Sequence, residues 1–157
     1  MTRRHAIPRG ACSLAVLTAL LLAMTAAALA ADAARVKVSQ GSAWIDRAGV
    51  RLPATVGTPL RQDDVIVTGA DGAVGITFAD DSRVSLGPDT MLAIDRFAFN
   101  PTTHEGTHET SLRRGTLAAV SGKLARQSPD AMKVRTPAAI LGVRGTEFVM
   151  RTGEPSP

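Results

Sequence analysis

Two histidines with the spacing of a zinc protease are the residues whose types most directly suggest chemistry. His104, Glu105 and His108 match the pattern H-E-x-x-H. In zinc proteases a helix places both histidines on one face, and the glutamate acts as a base on the metal-bound water. Here Gly106 interrupts the motif, and no stripe of apolar residues indicates a helix. We therefore interpret the motif as part of an exposed loop, and a zinc hydrolase is the least favoured alternative.

Acidic residues recur at predicted turns, and calcium is the ion that they could bind. They are Asp63, Asp64, Asp71, Asp80 and Asp81. They lack the spaced oxygen ligands and the closing glutamate of an EF-hand loop, and aspartate is common in turns because it tolerates their backbone geometry. The sequence also has no P-loop, dinucleotide-binding or G-x-S-x-G pattern. We therefore predict a protein that is not an enzyme and uses no cofactor or metal.

The beginning of the chain has the three parts of a secretory signal peptide. Three arginines form a positive start, residues 14–24 form an apolar run, and an A-x-A pattern ends at Ala30. We predict a helical signal peptide over residues 1–30 and cleavage between Ala30 and Ala31. An uncleaved anchor is the competing interpretation, because the apolar run approaches the length of a spanning helix. Cleavage would leave one domain over residues 31–157, periplasmic or secreted, with no stable membrane span.

The balance of charges argues against a nucleic-acid partner. The chain has 18 Lys and Arg against 14 Asp and Glu, but three of the basic residues and none of the acids precede residue 31, which leaves 15 against 14. The remaining basic residues are scattered rather than clustered, so no basic stripe is available for phosphates. Cys12, the single cysteine, lies in the leader. The exported domain therefore has no disulfide and must fold on its apolar core.

Turn residues recur about every eight to twelve positions, which predicts an all-β domain. The expected architecture is a short twisted β-solenoid or a β-sandwich built from successive hairpins. The clearest hairpin joins residues 73–78 and 83–86, because apolar residues alternate on both sides of the Asp80-Asp81 turn. We predict an exposed loop over residues 100–109 and another hairpin around Gly115. A helix over residues 116–126 is the competing interpretation of the last segment.

The most specific run is residues 136–150, read as T-P-A-A-I-L-G-V-R-G-T-E-F-V-M. It predicts an extended segment that turns at its glycines and then enters a strand. Arg144 lies between Val143 and Gly145, where its guanidinium could bind an anionic ligand. Alternatively, it is half-buried and fixes the turn by pairing with a carboxylate such as Glu147 or Asp64, since a buried guanidinium requires such a partner.

An ordered set of motifs over residues 41–150 resembles a known family. The set includes G-T-P-L from Gly57, D-V-I-V-T-G from Asp64 and G-T-L from Gly115. Its last part comprises Thr136, Pro137, Val143, Arg144, Gly145, Thr146, Glu147 and Phe148. Together they resemble the FecR domain, the periplasmic signalling part of iron-dicitrate-type transport regulators. The resemblance implies a non-enzymatic exported module that engages an envelope protein.

The end of the resemblance suggests how a partner would bind. Members of the family usually continue past this last strand with another hairpin, whereas the sequence stops at Pro157. We therefore expect an unpaired strand edge at Phe148, Val149 and Met150, to which a partner could add a strand. A structural envelope module that binds peptidoglycan or polysaccharide is the alternative function.

Overall fold

The computed structural model describes residues 32–143 and 147–153, and its regular secondary structure is almost entirely β-strand. Its elements are β1 (Ala34–Gln40), β2 (Ala43–Arg47), β3 (Val50–Pro53), β4 (Pro59–Leu60), β5 (Val65–Thr68), β6 (Ala73–Phe78), β7 (Arg83–Leu86), β8 (Met91–Phe99), β9 (Gly106–Val120), α1 (Lys123–Gln127), β10 (Met132–Arg135), β11 (Ile140–Gly142) and β12 (Glu147–Thr152). The all-β prediction is confirmed. The predicted signal peptide and its cleavage point at Ala30 and Ala31 lie outside the described residues. Within the described ranges, no helix has the length and apolar character needed to cross a membrane.

The strands form one curled sheet with β9 at its centre. One arm runs in the order β3-β2-β5-β8 and the other in the order β7-β6-β1-β4. β8 pairs with the first half of β9 and β7 with the second half, both antiparallel. β10 pairs with the first half of β9 in parallel, and β12 pairs with the second half in an antiparallel ladder. The sheet is a half-barrel around one core, and not the solenoid or the sandwich predicted from the sequence.

A bulge allows β9 to pair with both arms. Its buried side chains fall on even positions up to Leu112 and on odd positions from Leu117. The register with β8 also slips between Leu112 and Arg114. Gly115 follows with a φ of +94°, and a Cβ there would lie 2.3 Å from the Oγ1 atom of Thr90. Only glycine therefore fits, and the extra residue bends the strand from one arm to the other.

The core is filled by alternating side chains from both arms, together with side chains from β9, α1 and β10. Its largest fully buried residues include Ile45, Leu60, Ile66, Ile76, Leu92, Ile94, Leu112, Leu117, Leu124 and Met132. The predicted hairpin of β6 and β7 is confirmed, with Ile76 opposite Val84 and both side chains buried. Its turn is closed by Asp80, whose Oδ1 accepts a hydrogen bond from the Ser82 N–H group at 3.1 Å.

Two local predictions are wrong, and both concern β9. The loop predicted over residues 100–109 ends early, because β9 begins at Gly106. The hairpin predicted around Gly115 is instead one continuous strand. The preference for extended structure over a helix in residues 116–126 is correct for residues 116–120, and a helix occupies only Lys123–Gln127. Gly106 and Gly115, which were interpreted as a breaker and a turn, both lie within β9.

A buried ion pair fixes the entry to β5. The carboxylate of Asp64 is only 1% exposed. It accepts hydrogen bonds from Arg47 Nε at 2.8 Å, from Arg47 Nη2 at 2.7 Å and from the Arg61 N–H group at 2.8 Å. The hydrogen bond with Asp64 raises the pKa of Arg47 above its ordinary value. Asp64 therefore has a structural role, and the described residues contain no cluster of three or more potential metal ligands.

Candidate partner-binding edge

The first residues of the 136–150 run form a hairpin turn. The Thr136 N–H group donates to the Ala139 carbonyl oxygen at 2.8 Å, and Thr136 Oγ1 accepts from the Ala139 N–H group at 3.1 Å. Pro137 lies exposed in this turn. Val143 is buried, and its N–H group donates to the Met132 carbonyl oxygen at 3.0 Å. These residues therefore shape the β10–β11 hairpin, which turns at residues 136–139. Gly142 lies within β11, and the turn predicted at Gly145 lies outside the described residues.

The centre of the run, Arg144, Gly145 and Thr146, lies outside the described residues. One of the two carboxylates considered as partners of Arg144 is already engaged, since Asp64 binds Arg47 in a bidentate pair. The other, Glu147, is exposed at the start of β12. The alternatives of an anion-binding and a structural Arg144 both stay predictions.

β12 is paired along one edge, which corrects the expectation of an unpaired strand. Phe148 lies opposite Ala119 of β9, and Met150 lies opposite Leu117. The side chains of Phe148 and Met150 are half-buried and pack against the core. Val149 is 70% exposed. Within residues 32–143 and 147–153, no strand pairs with the outer edge of β12.

The hydrogen bonds of β9 determine which way its peptide groups point. The Gly87 N–H group donates to the Thr116 carbonyl oxygen at 3.0 Å, so the peptide groups of Thr116 face the arm that contains β7. Peptide groups of successive residues in a strand point to opposite sides. Those of Leu117 and Ala119 therefore face β12.

The peptide groups of β12 follow from this alternation. Phe148 and Met150 lie opposite the β9 residues that face β12, so their N–H and C=O groups bond to β9. The N–H and C=O groups of Glu147, Val149 and Arg151 consequently face the open edge. The side chains of these three residues are also exposed, and they present an acid, an apolar group and a base in turn. The outer edge of β12 can thus accept another strand.

A cavity lies beside this edge, where β12 meets the bend of β9. Its volume is about 570 Å³, and its lining includes Asp89, Arg114, Thr116 and Arg151. The Nε atom of Arg114 is buried without a hydrogen-bond partner among the described residues. The cavity could receive a polar or anionic side chain from a molecule bound at the edge.

The H-E-x-x-H motif does not form a zinc-protease site. His104 lies in the loop before β9 with a φ of 58°, and its ring stacks on Phe99 at 6.0 Å between centroids. His108 lies within β9 and is fully buried. Because the motif spans a loop and a strand, the two histidines do not share the face of a helix. The prediction of a loop is correct for His104, although its side chain is half-buried, and wrong for His108.

His108 belongs to a buried polar chain that the sequence did not reveal. Its Nδ1 atom lies 3.5 Å from Ser82 Oγ, which donates to Asp80 Oδ1 at 2.6 Å. Serine lies between the acid and the histidine, and all three residues are fully buried, so the arrangement offers no accessible nucleophile. Burial lowers the pKa of His108 to about 4, and the charge of Asp80 opposes this change. Residues 107–111 are all polar, so the sequence carries no local pattern that signals this cluster.

Comparison with known proteins identifies the family. The family model described as FecR protein matches residues 64–156, which is more than half of the chain and includes β5 to β12. No curated protein and no solved structure matches the chain. The match covers the part of the chain that carries both the bend of β9 and the open edge of β12. The chain therefore belongs to the FecR family.

Proposed function

We propose that this protein is an exported, non-enzymatic binding and signalling module that engages an envelope protein by strand addition to β12. The FecR family is a regulatory family whose domains are typically periplasmic. A signal peptide over residues 1–30, cleaved after Ala30, would deliver the domain to that compartment. The family thus supports a signalling role, and the open edge suggests how the partner binds.

The single observation that carries the proposal is the set of outward-facing peptide groups on β12. Glu147, Val149 and Arg151 direct their N–H and C=O groups away from β9. Exposed strand edges pair readily with an extended segment of another protein, since every such segment can supply complementary main-chain groups. Specificity would then come from side chains beside the edge, including Arg114 in the neighbouring cavity.

The alternative of a polysaccharide-binding module is less well supported. Such sites commonly stack sugar rings on exposed aromatic side chains. Trp44 is the one tryptophan of the chain, and the Arg51 guanidinium covers its ring at 4.6 Å from the centroid. Phe148 is turned toward the core. We therefore favour a protein partner.

Two substitutions of one residue test strand addition. Val149→Pro removes an N–H group that faces the open edge, and proline is tolerated at such positions of edge strands. Val149→Thr keeps this group and has a similar shape, so it is the matched control. In pull-downs from envelope extract, we expect the wild type and V149T to retain the same protein and V149P to lose at least about 90% of it, which corresponds to roughly 1.4 kcal/mol.

Hydrogen exchange gives an independent measurement on the same edge. In the free monomer, the Val149 and Arg151 amides should exchange quickly, and the Phe148 and Met150 amides should be protected by β9. The partner should then protect Val149 and Arg151. Equal recovery of the partner by V149P and the wild type, with both folded, would show that binding uses another surface.

A further inference from the structure

We propose that a second copy of the chain occupies the β12 edge when no partner is bound, through antiparallel pairing of β12 with itself about Val149. The proposal rests on the edge identified for the proposed function, and it adds a competing occupant to that edge. The dimer would hold the binding strand closed until a partner strand displaces it. Its basis is that the exposed residues of β12 are complementary to themselves.

The outward side chains of β12 define one register. Glu147, Val149 and Arg151 are spaced two residues apart and all lie on the exposed face of the strand. In an antiparallel pair with Val149 opposite Val149 of the second copy, Glu147 lies opposite Arg151 in both directions. Residues directly opposite in antiparallel strands have their Cβ atoms about 5 Å apart, within reach of an ion pair. A two-fold axis through Val149 thus forms one apolar contact between two ion pairs.

The backbone favours the same register. The residues that would face the second copy are the three whose peptide groups are not directed at β9. Each copy would donate from Glu147, Val149 and Arg151 and accept at the same residues, which gives about six hydrogen bonds. A shift by one residue would bring Phe148 and Met150 to the junction, but their peptide groups already face Leu117 and Ala119. Only registers that keep the odd-numbered residues in opposition are therefore available.

The size of this contact sets the expected affinity. Stable dimers commonly bury about 1,600 Å² of surface, and a single pair of six-residue strands buries less. Val149 is 70% exposed and is the only apolar residue among the three outward side chains. We therefore expect a weak, reversible dimer with a dissociation constant on the order of 100 µM. A partner that binds the edge more tightly than the second copy can therefore displace it.

Charge reversal tests the register directly. Glu147→Arg or Arg151→Glu alone would place like charges opposite each other at both ion pairs of the dimer. Each variant should dimerise at least roughly tenfold more weakly than the wild type. When E147R and R151E are mixed, every basic residue faces an acidic one, so the mixture should form a heterodimer with about wild-type affinity. Sedimentation velocity on the purified mature chain, up to about 1 mM, measures all three affinities.

Further variants separate this contact from other ways of associating. The double variant E147R/R151E should dimerise within about threefold of the wild type, since both ion pairs are restored in reverse. Lys37→Glu, an exposed charge reversal on β1, should leave the affinity unchanged. V149P should be monomeric. Circular dichroism and urea unfolding verify that each variant is folded.

The proposal is overturned if the wild type is monomeric at about 1 mM, or if E147R and R151E each dimerise as well as the wild type. It is also overturned if the two variants do not associate when mixed. These measurements use the protein without a partner. A monomeric wild type would therefore leave the proposed function standing, whereas unchanged partner capture by V149P would contradict the proposed function and leave the dimer standing.

Discussion

Lowering the pH from 7 to 4 should destabilise the fold through one buried histidine. His108 is fully buried, with its ring centroid 4.2 Å from that of Phe78 and 5.3 Å from that of Phe97. Its Nε2 atom has no hydrogen-bond partner among the described residues. This apolar surrounding lowers the pKa of His108 from 6.5 to about 4, although Asp80 opposes the change. Between these two pKa values, the folded protein therefore keeps the imidazole neutral, whereas an imidazole exposed to water would be protonated.

The direction of the effect follows from proton binding. Between pH 6.5 and about 4, the unfolded chain binds a proton at His108 that the folded chain does not bind. The contribution of the neutral His108 to stability is therefore fully present above pH 6.5 and is lost as the pH falls toward 4. Each pH unit within this window lowers the free energy of unfolding by about 1.4 kcal/mol, which gives a total on the order of 3 kcal/mol.

Urea unfolding of the wild type and two histidine variants at pH 7, 6, 5 and 4 measures this contribution. His108→Gln removes the titrating group, and His104→Gln makes the same change in the loop before β9. Acidic residues titrate in all three proteins, so the difference between curves isolates the histidine. H104Q should lose as much stability as the wild type, and H108Q should lose about 3 kcal/mol less. An equal loss in H108Q and the wild type would refute the assignment.

Two structural predictions concern the buried ion pair and the bend of β9. Arg47→Ala leaves the Asp64 carboxylate buried without its cation, so it should lower the free energy of unfolding in urea titrations by about 3 kcal/mol. Arg51→Ala breaks an exposed pair and should lower it by less than about 1 kcal/mol. A smaller loss for the Arg47 variant would show that water replaces its guanidinium. Gly115→Ala should lower the melting temperature more than Gly49→Ala, because both glycines have positive φ but only the first lacks space for a Cβ. Equal effects would mean that backbone conformation alone decides the cost.

The sequence predicted the fold class and the family because both depend on local signals. The β6–β7 hairpin follows from apolar alternation on either side of a turn, and its buried faces are as expected. The ordered motifs indicated the FecR family, and the family model confirms it.

The sequence did not predict β9 correctly, because its local signals are ambiguous. A glycine such as Gly115 is compatible with a hairpin turn or a bulge, and only the proximity of Thr90 distinguishes them. His108 and Thr110 are polar residues that face the core, so the first half of β9 resembles a solvated loop. The pairing of β12 with β9 joins residues about thirty positions apart. Neither strand has a local sequence pattern that would indicate its partner.

The central position of β9 also affects the order in which the domain can fold. The free edge of β7 cannot pair until the second half of β9 is present, since Arg83 pairs with Val120. β8 likewise pairs with the first half of β9, so the two arms cannot form one continuous sheet until β9 has paired with both. Contacts between residues this far apart in sequence slow folding, because the chain must lose the entropy of loop closure before these contacts stabilise the fold. Before β9 pairs with them, the two arms have exposed strand edges. Aggregation through these edges competes with folding until β9 connects the arms.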